Sequence, residues 1–527
     1  MTPNCASRYT QRLTDCTLGE SVVVQSLNRK GLVHTQLISH RLSSGGFLRK
    51  ETTTAKQKPL CLNWYRFKRP SLVLFQRPLT CVICEWSTQL FGPWPGIVSL
   101  IAWCWMPLIL AHGSLVTSDV PAVVAALGAA RCFWSFLLNP RPPTAMLSGA
   151  LLGVAIATKY TLLILCPCWF CVLFYRYSRG HQFRQFAVLG CLMFSASIVT
   201  IDAFYLFQGV GFKLEILATG NSASSATLRS FASWPLFSWM LWIPLPLPIE
   251  FIRGLDFQLA DVERSQAVYL LGEQRVGGWS FWYLIAAMVK VPIPIQALTW
   301  LAVVNIPSAL SGNGFSRWAA ICTIVPALEV TISIVLFTGT GTNASVRYLL
   351  PALALWCPWI GLALRPRTQV SKILVFGFVT WLGIGAFFES PDFLGWENEL
   401  ANVWCRDRPA ILGDNTDWGQ DIASLGVWAA SRSPSERMIV CVYGMGDTRA
   451  YGLRRPAALA ISAASDQCDY LAISENILFG NGTQNCVCVD GQMGVVSHEL
   501  RKSLQLRRPF HRIGHSIRIF KLTSGDF

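Results

Sequence analysis

The chain has 527 residues, 52% of them hydrophobic and only 14% charged, with a formal net charge of +15 and a mean hydropathy of +0.40. That apolar surplus exceeds what one soluble core needs, so a lone soluble globule is excluded and a polytopic membrane protein is expected. The charge divides as +9 over residues 1–70, +8 over residues 71–388 and −2 over residues 389–527, which reads as a basic tail, a membrane body and a nearly neutral soluble domain. Lys and Arg gather on the cytoplasmic loops of membrane proteins, so the basic excess calls for no nucleic-acid partner.

Residues 1–70 hold no apolar run able to cross a bilayer and no hydrophobic stretch with a cleavage site. Rich in Ser, Thr, Lys and Arg, they are read as a disordered tail. Residues 72–88, interrupted by Arg77, make a weak span. Residues 93–113 and 120–138 are strong ones, each long enough for a hydrocarbon core of about 30 Å. The link between them, HGSLVTSDVP at 112–121, must lie at a membrane surface and puts the carboxylate of Asp119 there. Ser118 and Asp119 ahead of Pro121 also suit a helix start, so capping and a functional role both stay open for Asp119.

The apolar run from Ala145 to Tyr175 is bracketed by Arg141 on one side and Arg176, Arg179 and Arg184 on the other. Cytoplasmic basic loops would put both ends on one face, which a hairpin of two short helices turning near Thr158, Lys159 and Tyr160 satisfies. Lys159 then reaches the face that holds Asp119; a single tilted helix with a snorkelling Lys159 is the alternative. Residues 186–206 return to that face. Residues 207–278 are expected to stay outside as a large loop, because 249–278 carries Glu250, Arg253, Asp256, Asp261, Glu263, Arg264, Glu273 and Arg275.

Spans at 280–304, 318–338, 346–364 and 371–388 follow, with Arg317 and the group Arg365, Arg367 and Lys372 on the cytoplasmic side. The expected fold is a mainly α, polytopic transmembrane helix bundle over 71–388, of about 9–11 membrane segments, with a soluble α/β domain at 389–527. Glu329, inside 318–338, is an intramembrane acid and so either a functional group or a partner for a neighbouring helix. MIVCVYG at 438–444 and YLAIS at 470–474 read as buried strands of the final domain. DNTDWGQD at 414–421 is acidic enough for a site, but also suits a helix entry capped by Asp414 or Asn415. Cys166, Cys168 and Cys171 have no accompanying His, Asp or Glu and are read as helix packing rather than a metal cluster. The odd number of Cys from Cys405 to Cys488 permits at most two internal disulfides. Asn343-Ala-Ser345 and Asn481-Gly-Thr483 fit the N-glycosylation pattern.

Several stretches in order resemble the GT-C superfamily of membrane glycosyltransferases, in the branch of protein O-mannosyltransferases and aminoarabinose transferases. They are AHGSLVTSDVP at 111–121, LSGALLGVAIATKYTLLIL at 147–165, LPLPIEFIRGLDFQLADVE at 245–263 and YLLGEQRVGGWSFWYLIAAMVKVPIP at 269–294. RYLLPALAL at 347–355, FLGWENELA at 393–401 and ILGDNTDWGQDIASL at 411–425 complete the series. The resemblance implies transfer of a sugar, a hexose such as mannose, from a polyprenyl-phosphate carrier to a hydroxyl on protein, lipid or glycan. It implies a multi-pass protein of a bacterial inner or plasma membrane, acting at the outer face, with the final domain extracytoplasmic.

Such chemistry needs a carboxylate to take the acceptor's proton and cations, a divalent metal ion or Lys and Arg, to hold the leaving phosphate. By resemblance, Asp119 supports the site or a metal ion, and Lys159 meets the carrier phosphate. Arg253, Arg347 and Lys290 are further phosphate-binding candidates, and His112, Asp256, Asp261, Glu273 and Trp279 belong to the substrate loops. Loop-packing salt bridges are the other reading of the second group. The family's catalytic carboxylate, commonly an Asp-Glu pair, sits in a first outer loop after an N-terminal helix. Upstream of residue 70 this chain has only Asp15, Glu20 and Glu51, none following an apolar span, so no catalytic residue is assigned and that helix and loop are expected to be missing. An inactive relative with a binding or scaffold role is the alternative. A transporter of lipid-linked sugars is a further one, which the lack of an internal repeat disfavours.

Overall fold

The computed structural model describes residues 79–522 except 116, 179–182, 215–224, 234–240, 265–266, 311–344, 365–368, 406, 434, 437, 444–450, 454–468, 481–485, 489–491 and 495–497. The basic tail, the expected span at 318–338 with Glu329, both glycosylation asparagines and the loop arginines Arg317, Arg365 and Arg367 lie outside the described residues. The first seven helices are α1 (79–91), α2 (Pro93–Cys104), α3 (Pro107–Ser114), α4 (Asp119–Leu138), α5 (Pro142–Thr158), α6 (Leu165–Ser178) and α7 (Phe183–Phe204). Among the described residues four helical stretches are long and apolar enough to cross a membrane: α4, Ala187–Phe204 of α7, Val346–Leu364, and Gln369–Phe388. Two bent helix pairs bring the number to six. The chain is an integral membrane protein with a mainly helical body.

The bends fall at prolines. The expected span at 93–113 is α2 and α3, bent by 53° ahead of Pro107, and that at 280–304 is α10 (Trp282–Lys290) and α11 (Ile293–Leu310), bent by 112° at Val291-Pro292. Proline lacks an N–H and pushes the residue before it out of the helical region; Met106 and Val291 accordingly sit at ψ 113° and 129°. The larger bend breaks what the sequence reading took as one straight span, and it puts Lys290 at the corner.

The run from Ala145 to Tyr175 is two helices. α5 ends at Thr158, Lys159 is extended at φ −155° and ψ 121°, and a 3-10 turn at Tyr160–Ile164 leads into α6. Gly149 and Gly153 let α5 touch the backbone of α7: a β-carbon at Gly149 would lie 1.9 Å from the Met193 carbonyl oxygen, and one at Gly153 2.5 Å from that of Ser197. Small residues four apart serve such close approach between membrane helices. The contact numbers rise together on the two helices, so α5 and α7 run parallel and α6 must run back between them. The reversal lies at Lys159. Because only a short link joins α4 to α5, the start of α4 and the end of α5 meet, and Lys159 forms an ion pair with Asp119.

The stretch 207–278 is not an open loop. It contains α8 (Ala226–Ser233), α9 (Ile249–Glu263) and an antiparallel hairpin of β1 (Ala267–Leu270) and β2 (Glu273–Val276). Among the charges of α9, Phe251, Gly254, Asp256 and Ala260 are buried. Phe251 seats α9 on the bundle against the rings of Tyr160 and Tyr205, at centroid distances of 5.2 and 6.2 Å.

After α11 come a 3-10 turn at Val346–Leu349, α12 (Leu350–Ile360), α13 (Gln369–Phe388), α14 (Glu399–Cys405), a 3-10 turn at Gly413–Asn415, and α15 (Ile422–Ala430). The C-terminal α/β domain follows with β3 (Met438–Val442), β4 (Tyr470–Ser474), α16 (Glu475–Phe479), β5 (Cys486–Cys488), β6 (Gln492–Gly494), α17 (His498–Leu506), β7 (His511–Ile513) and β8 (Ile517–Lys521). Its sheet has the order β6-β5-β3-β4-β8-β7, with β3 and β4 parallel and the other pairs antiparallel. Both expected strands, β3 and β4, are central and buried on both faces. Ile439, Cys441, Leu471 and Ile473 pack under α16 and α17, and Val440, Val442 and Ala472 pack under α15, which is why both strands are continuous apolar runs.

Substituting Gly149 by Val is expected to force α5 from α7 and lower the thermal unfolding temperature of the detergent-solubilised chain, since overpacking costs about 1–3 kcal/mol. Gly128→Ala on α4, where a β-carbon meets nothing within 4 Å, should leave it unchanged or slightly raised. Equal melting of the Gly149 variant and the parent would contradict the parallel contact.

Candidate functional site

One end of the helix bundle collects charge. Asp119, the first residue of α4, is 3% exposed and holds the ammonium of Lys159, whose side chain is 13% exposed. The same ammonium lies 4.7 Å from the ring centre of Tyr348. Arg347, 11% exposed, lies 5.5 Å from the centre of the same ring and 5.6 Å from that of the Trp418 ring, and pairs with Asp414 at 3.3 Å. The charges of Asp119, Lys159 and Arg347 all act on His112, which is buried near the end of α3 with no hydrogen-bond partner on either ring nitrogen among the described residues. The second carboxylate oxygen of Asp119 also has no partner. Tyr283 of α10 closes the floor, fully packed beside Tyr348.

The local chain explains why these groups meet. Asp119 opens α4 and Lys159 interrupts α5, so each stands at a helix end, where a charge can leave the apolar zone. Arg347 and Tyr348 ride on the short turn that starts α12. Asp414 and Trp418 come from the entry to the C-terminal domain and are tied to each other, the indole N–H of Trp418 donating to the Asp414 carbonyl at 2.8 Å.

Of the residues singled out from the sequence, the structure therefore brings Asp119, Lys159, Arg347 and His112 together. His112 is inside a helix, not in a substrate loop. Lys290 is placed differently: it is 2% exposed and donates to the carbonyls of Leu394, Trp396 and Asn415 at 3.0, 2.8 and 2.8 Å, which leaves its three N–H groups none for a phosphate. Arg253 is 44% exposed and pairs with Glu250 one turn away. Asp256 is buried, accepting from the N–H and hydroxyl of Ser225 at 3.0 and 2.5 Å. Asp261 is half-buried on α9, Glu273 is exposed on β2, and Trp279 packs on the bundle core. Tyr348 is the member that the sequence reading missed, and Asp414 and Trp418 come from the stretch 414–421 that it left open between a site and a helix entry. Asp414 caps no helix, because α15 begins at Ile422 after Asp421.

The donor set around Asp119 does not suit a divalent metal ion. Two carboxylates, Asp119 and Asp414, each paired with a cation, and one imidazole make up the set, and a dication needs several oxygen ligands. Among the described residues no group of three or more His, Cys, Asp or Glu is placed to hold a metal ion.

A second set of buried acids, Asp417 and Asp421 ahead of α15 and Glu475 at the start of α16, is structural. Asp417 accepts from the Ser474 hydroxyl at 2.5 Å and the Gly419 N–H at 2.7 Å, Asp421 from the Ser516 hydroxyl at 2.6 Å, and Glu475 from Arg518 at 2.5 Å. Burial, with the nearby charges of Asp421 and Glu475, pushes the Asp417 carboxyl up to about 7. Burial raises Asp421 and Glu475 as well.

Residues 73–202 match the family model of dolichyl-phosphate-mannose-protein mannosyltransferases. This segment runs from before α1 to α7 and carries Asp119, Lys159 and His112. No curated protein matches the chain. Among solved structures, the Archaeoglobus fulgidus oligosaccharyltransferase in its apo form is similar at 11% identity and a TM-score of 0.37, over 76% of this chain and 57% of that one. ArnT from Cupriavidus metallidurans is similar in its apo state at 12% identity and a TM-score of 0.21, over 87% of this chain and 84% of that one. Its complex with undecaprenyl phosphate gives 12% identity and a TM-score of 0.22 over the same shares. The chain thus spans 57% of the length of the oligosaccharyltransferase. The resemblance to protein mannosyltransferases read from the sequence is borne out over residues 73–202.

A carboxyl raised in the folded state favours folding while it is protonated, and that contribution is lost as pH rises from its unfolded value, about 3.9, towards about 7. The chain should therefore melt lower at pH 8 than at pH 5. Asp417→Asn, whose amide can donate to Ser474, should melt above the parent at pH 8 and close to it at pH 5. Parallel melting of the two proteins across that range would contradict the protonated state of Asp417.

Proposed function

We propose that this GT-C-type membrane glycosyltransferase moves a hexose from a polyprenyl-phosphate carrier to an acceptor hydroxyl on protein, lipid or glycan. The observation that supports this reading is that Lys159 and Arg347 lie 4.7 and 5.5 Å from the Tyr348 ring centre, each cation paired with a carboxylate, at one end of an apolar helix bundle. A carrier lipid brings its phosphate to that level of the membrane, and two partly exposed cations around an aromatic floor suit a phosphate there. ArnT from Cupriavidus metallidurans has been solved bound to undecaprenyl phosphate, which is the same class of lipid.

In the transfer, the bond between the anomeric carbon and the phosphate oxygen breaks as the acceptor oxygen bonds to that carbon. The acceptor loses its proton, and polyprenyl phosphate leaves with the bonding electrons. Negative charge grows on the leaving phosphate, and Lys159 and Arg347 oppose it where little water competes. Asp119 holds Lys159 in place and is a positioning residue. The resemblance assigns the proton to a first-loop carboxylate, and the described residues do not include that loop.

The test is release of polyprenyl phosphate from a polyprenyl-phosphate hexose by the full chain in lipid vesicles. Arg347→Met should lower kcat/KM about 10–100-fold, the equivalent of a charged hydrogen bond worth about 1.5–3 kcal/mol. Lys159→Met alone would leave Asp119 buried and bare, so Asp119→Asn with Lys159→Met is the variant expected to fold and still lose turnover. No release by the parent chain, or full rates in both variants, would overturn the reading.

A further inference from the structure

The C-terminal domain reaches the candidate phosphate seat through a buried joint. Asn415, 0% exposed, accepts the Val346 N–H on its side-chain oxygen at 2.8 Å and donates its amide to the Leu412 carbonyl at 2.8 Å. Its own carbonyl accepts from Lys290 at 2.8 Å. The other two N–H groups of Lys290 hold the Leu394 and Trp396 carbonyls, and Asn398 donates to the Met288 and Val291 carbonyls at 2.6 and 2.7 Å. On the domain side, Asn476 accepts the Gly413 N–H at 2.8 Å and donates back to the Gly413 carbonyl at 3.2 Å. One chain of bonds thus runs from the end of β4 through Gly413 and Asn415 to Val346, the residue before Arg347 and Tyr348.

The bonds of Asn415 to Val346, Leu412 and Lys290 are buried, and an unmade hydrogen bond there costs about 1–3 kcal/mol. The turn at Val346–Leu349 therefore has one favoured position, the one in which Asn415 caps its first N–H. Shifting that turn moves the guanidinium of Arg347 and the ring of Tyr348 together. The Arg347–Asp414 pair fastens the same two segments at the solvent side.

We infer that Asn415, held by Lys290, is a positioning residue for Arg347, so that the phosphate seat is complete only when the C-terminal domain is docked on α10 and α12. The inference rests on the proposed function, since it takes Arg347 as a phosphate ligand. Lys290 acts on the phosphate through Asn415 and the turn, not by contact.

Two variants cut the joint at one bond. Val346→Pro removes the N–H that Asn415 caps, at the first position of a helical turn where proline fits; Ser345 before it is already extended at φ −132° and ψ 129°. Asn415→Leu removes the cap itself. Binding of undecaprenyl phosphate to the full chain in nanodiscs is measured for each, in the parent and in an Arg347→Met background, alongside the melting temperature. Both variants should weaken binding at least about fivefold when Arg347 is present and less than about twofold when it is absent, because the effect passes through that side chain. Melting should fall equally in the two backgrounds. Binding unchanged in the parent background, or the same loss in both backgrounds, would overturn the inference and leave the joint a purely structural one. A parent chain that binds no undecaprenyl phosphate would overturn the proposed function and this inference with it.

Discussion

The buried ion pair of Asp119 and Lys159 constrains the rest of the structure most tightly. Neither residue can sit alone in an apolar bundle, since removing one partner of a buried pair leaves a bare charge costing about 3–5 kcal/mol. The pair requires the start of α4 and the end of α5 to meet. It requires α5 to stop at Lys159, and the extended backbone there turns the chain into α6. The glycine contacts of α5 with α7 then fix the direction of the return. A buried pair of this kind is weak evidence for stability, because an apolar replacement would often serve as well. Its presence beside a second cation, a bare imidazole and an aromatic ring is more easily understood as preparation for an anion.

The same end of the bundle is where the C-terminal domain docks, and prolines make that possible. Pro292 ends α10 just after Lys290, so the ammonium stands at a corner rather than mid-span, within reach of three carbonyls from the following domain. Membrane body and domain share hydrogen bonds at Lys290, Asn398 and Asn415. Arg347 and Asp414 meet at the edge of that joint. The candidate site is accordingly a property of both parts of the chain.

Much of this was legible in the residues. The apolar runs pointed to the helix bundle and to the two central strands, and the flanking arginines raised the reversal at Lys159 as one of two readings, a single tilted helix being the other. The bends were written as Pro107 and Pro292 but read as straight spans, because hydropathy sums over a window and is blind to a missing N–H. The stretch 249–278 was taken for a loop because its charges were counted, and only packing against the rest of the chain buries Phe251, Gly254 and Ala260 among them. Lys290 looked like a phosphate ligand, and only its three carbonyl partners, more than a hundred residues along, give it another role. The stretch 414–421 was left open between a site and a helix entry for the same reason: Arg347, the partner of Asp414 and Trp418, is distant in sequence, and no local spacing announces the contact.

The central claim is that a carrier phosphate sits between Lys159 and Arg347 over Tyr348. The most direct measurement is photo-crosslinking of the full chain in a bilayer with a polyprenyl phosphate that carries a diazirine beside its phosphate, followed by peptide mapping. The account predicts label on residues 347–348, 158–160 and 414–418, displaced by excess unmodified polyprenyl phosphate. Label confined to other segments, or undisplaced label spread over the lipid-facing helices, would contradict it.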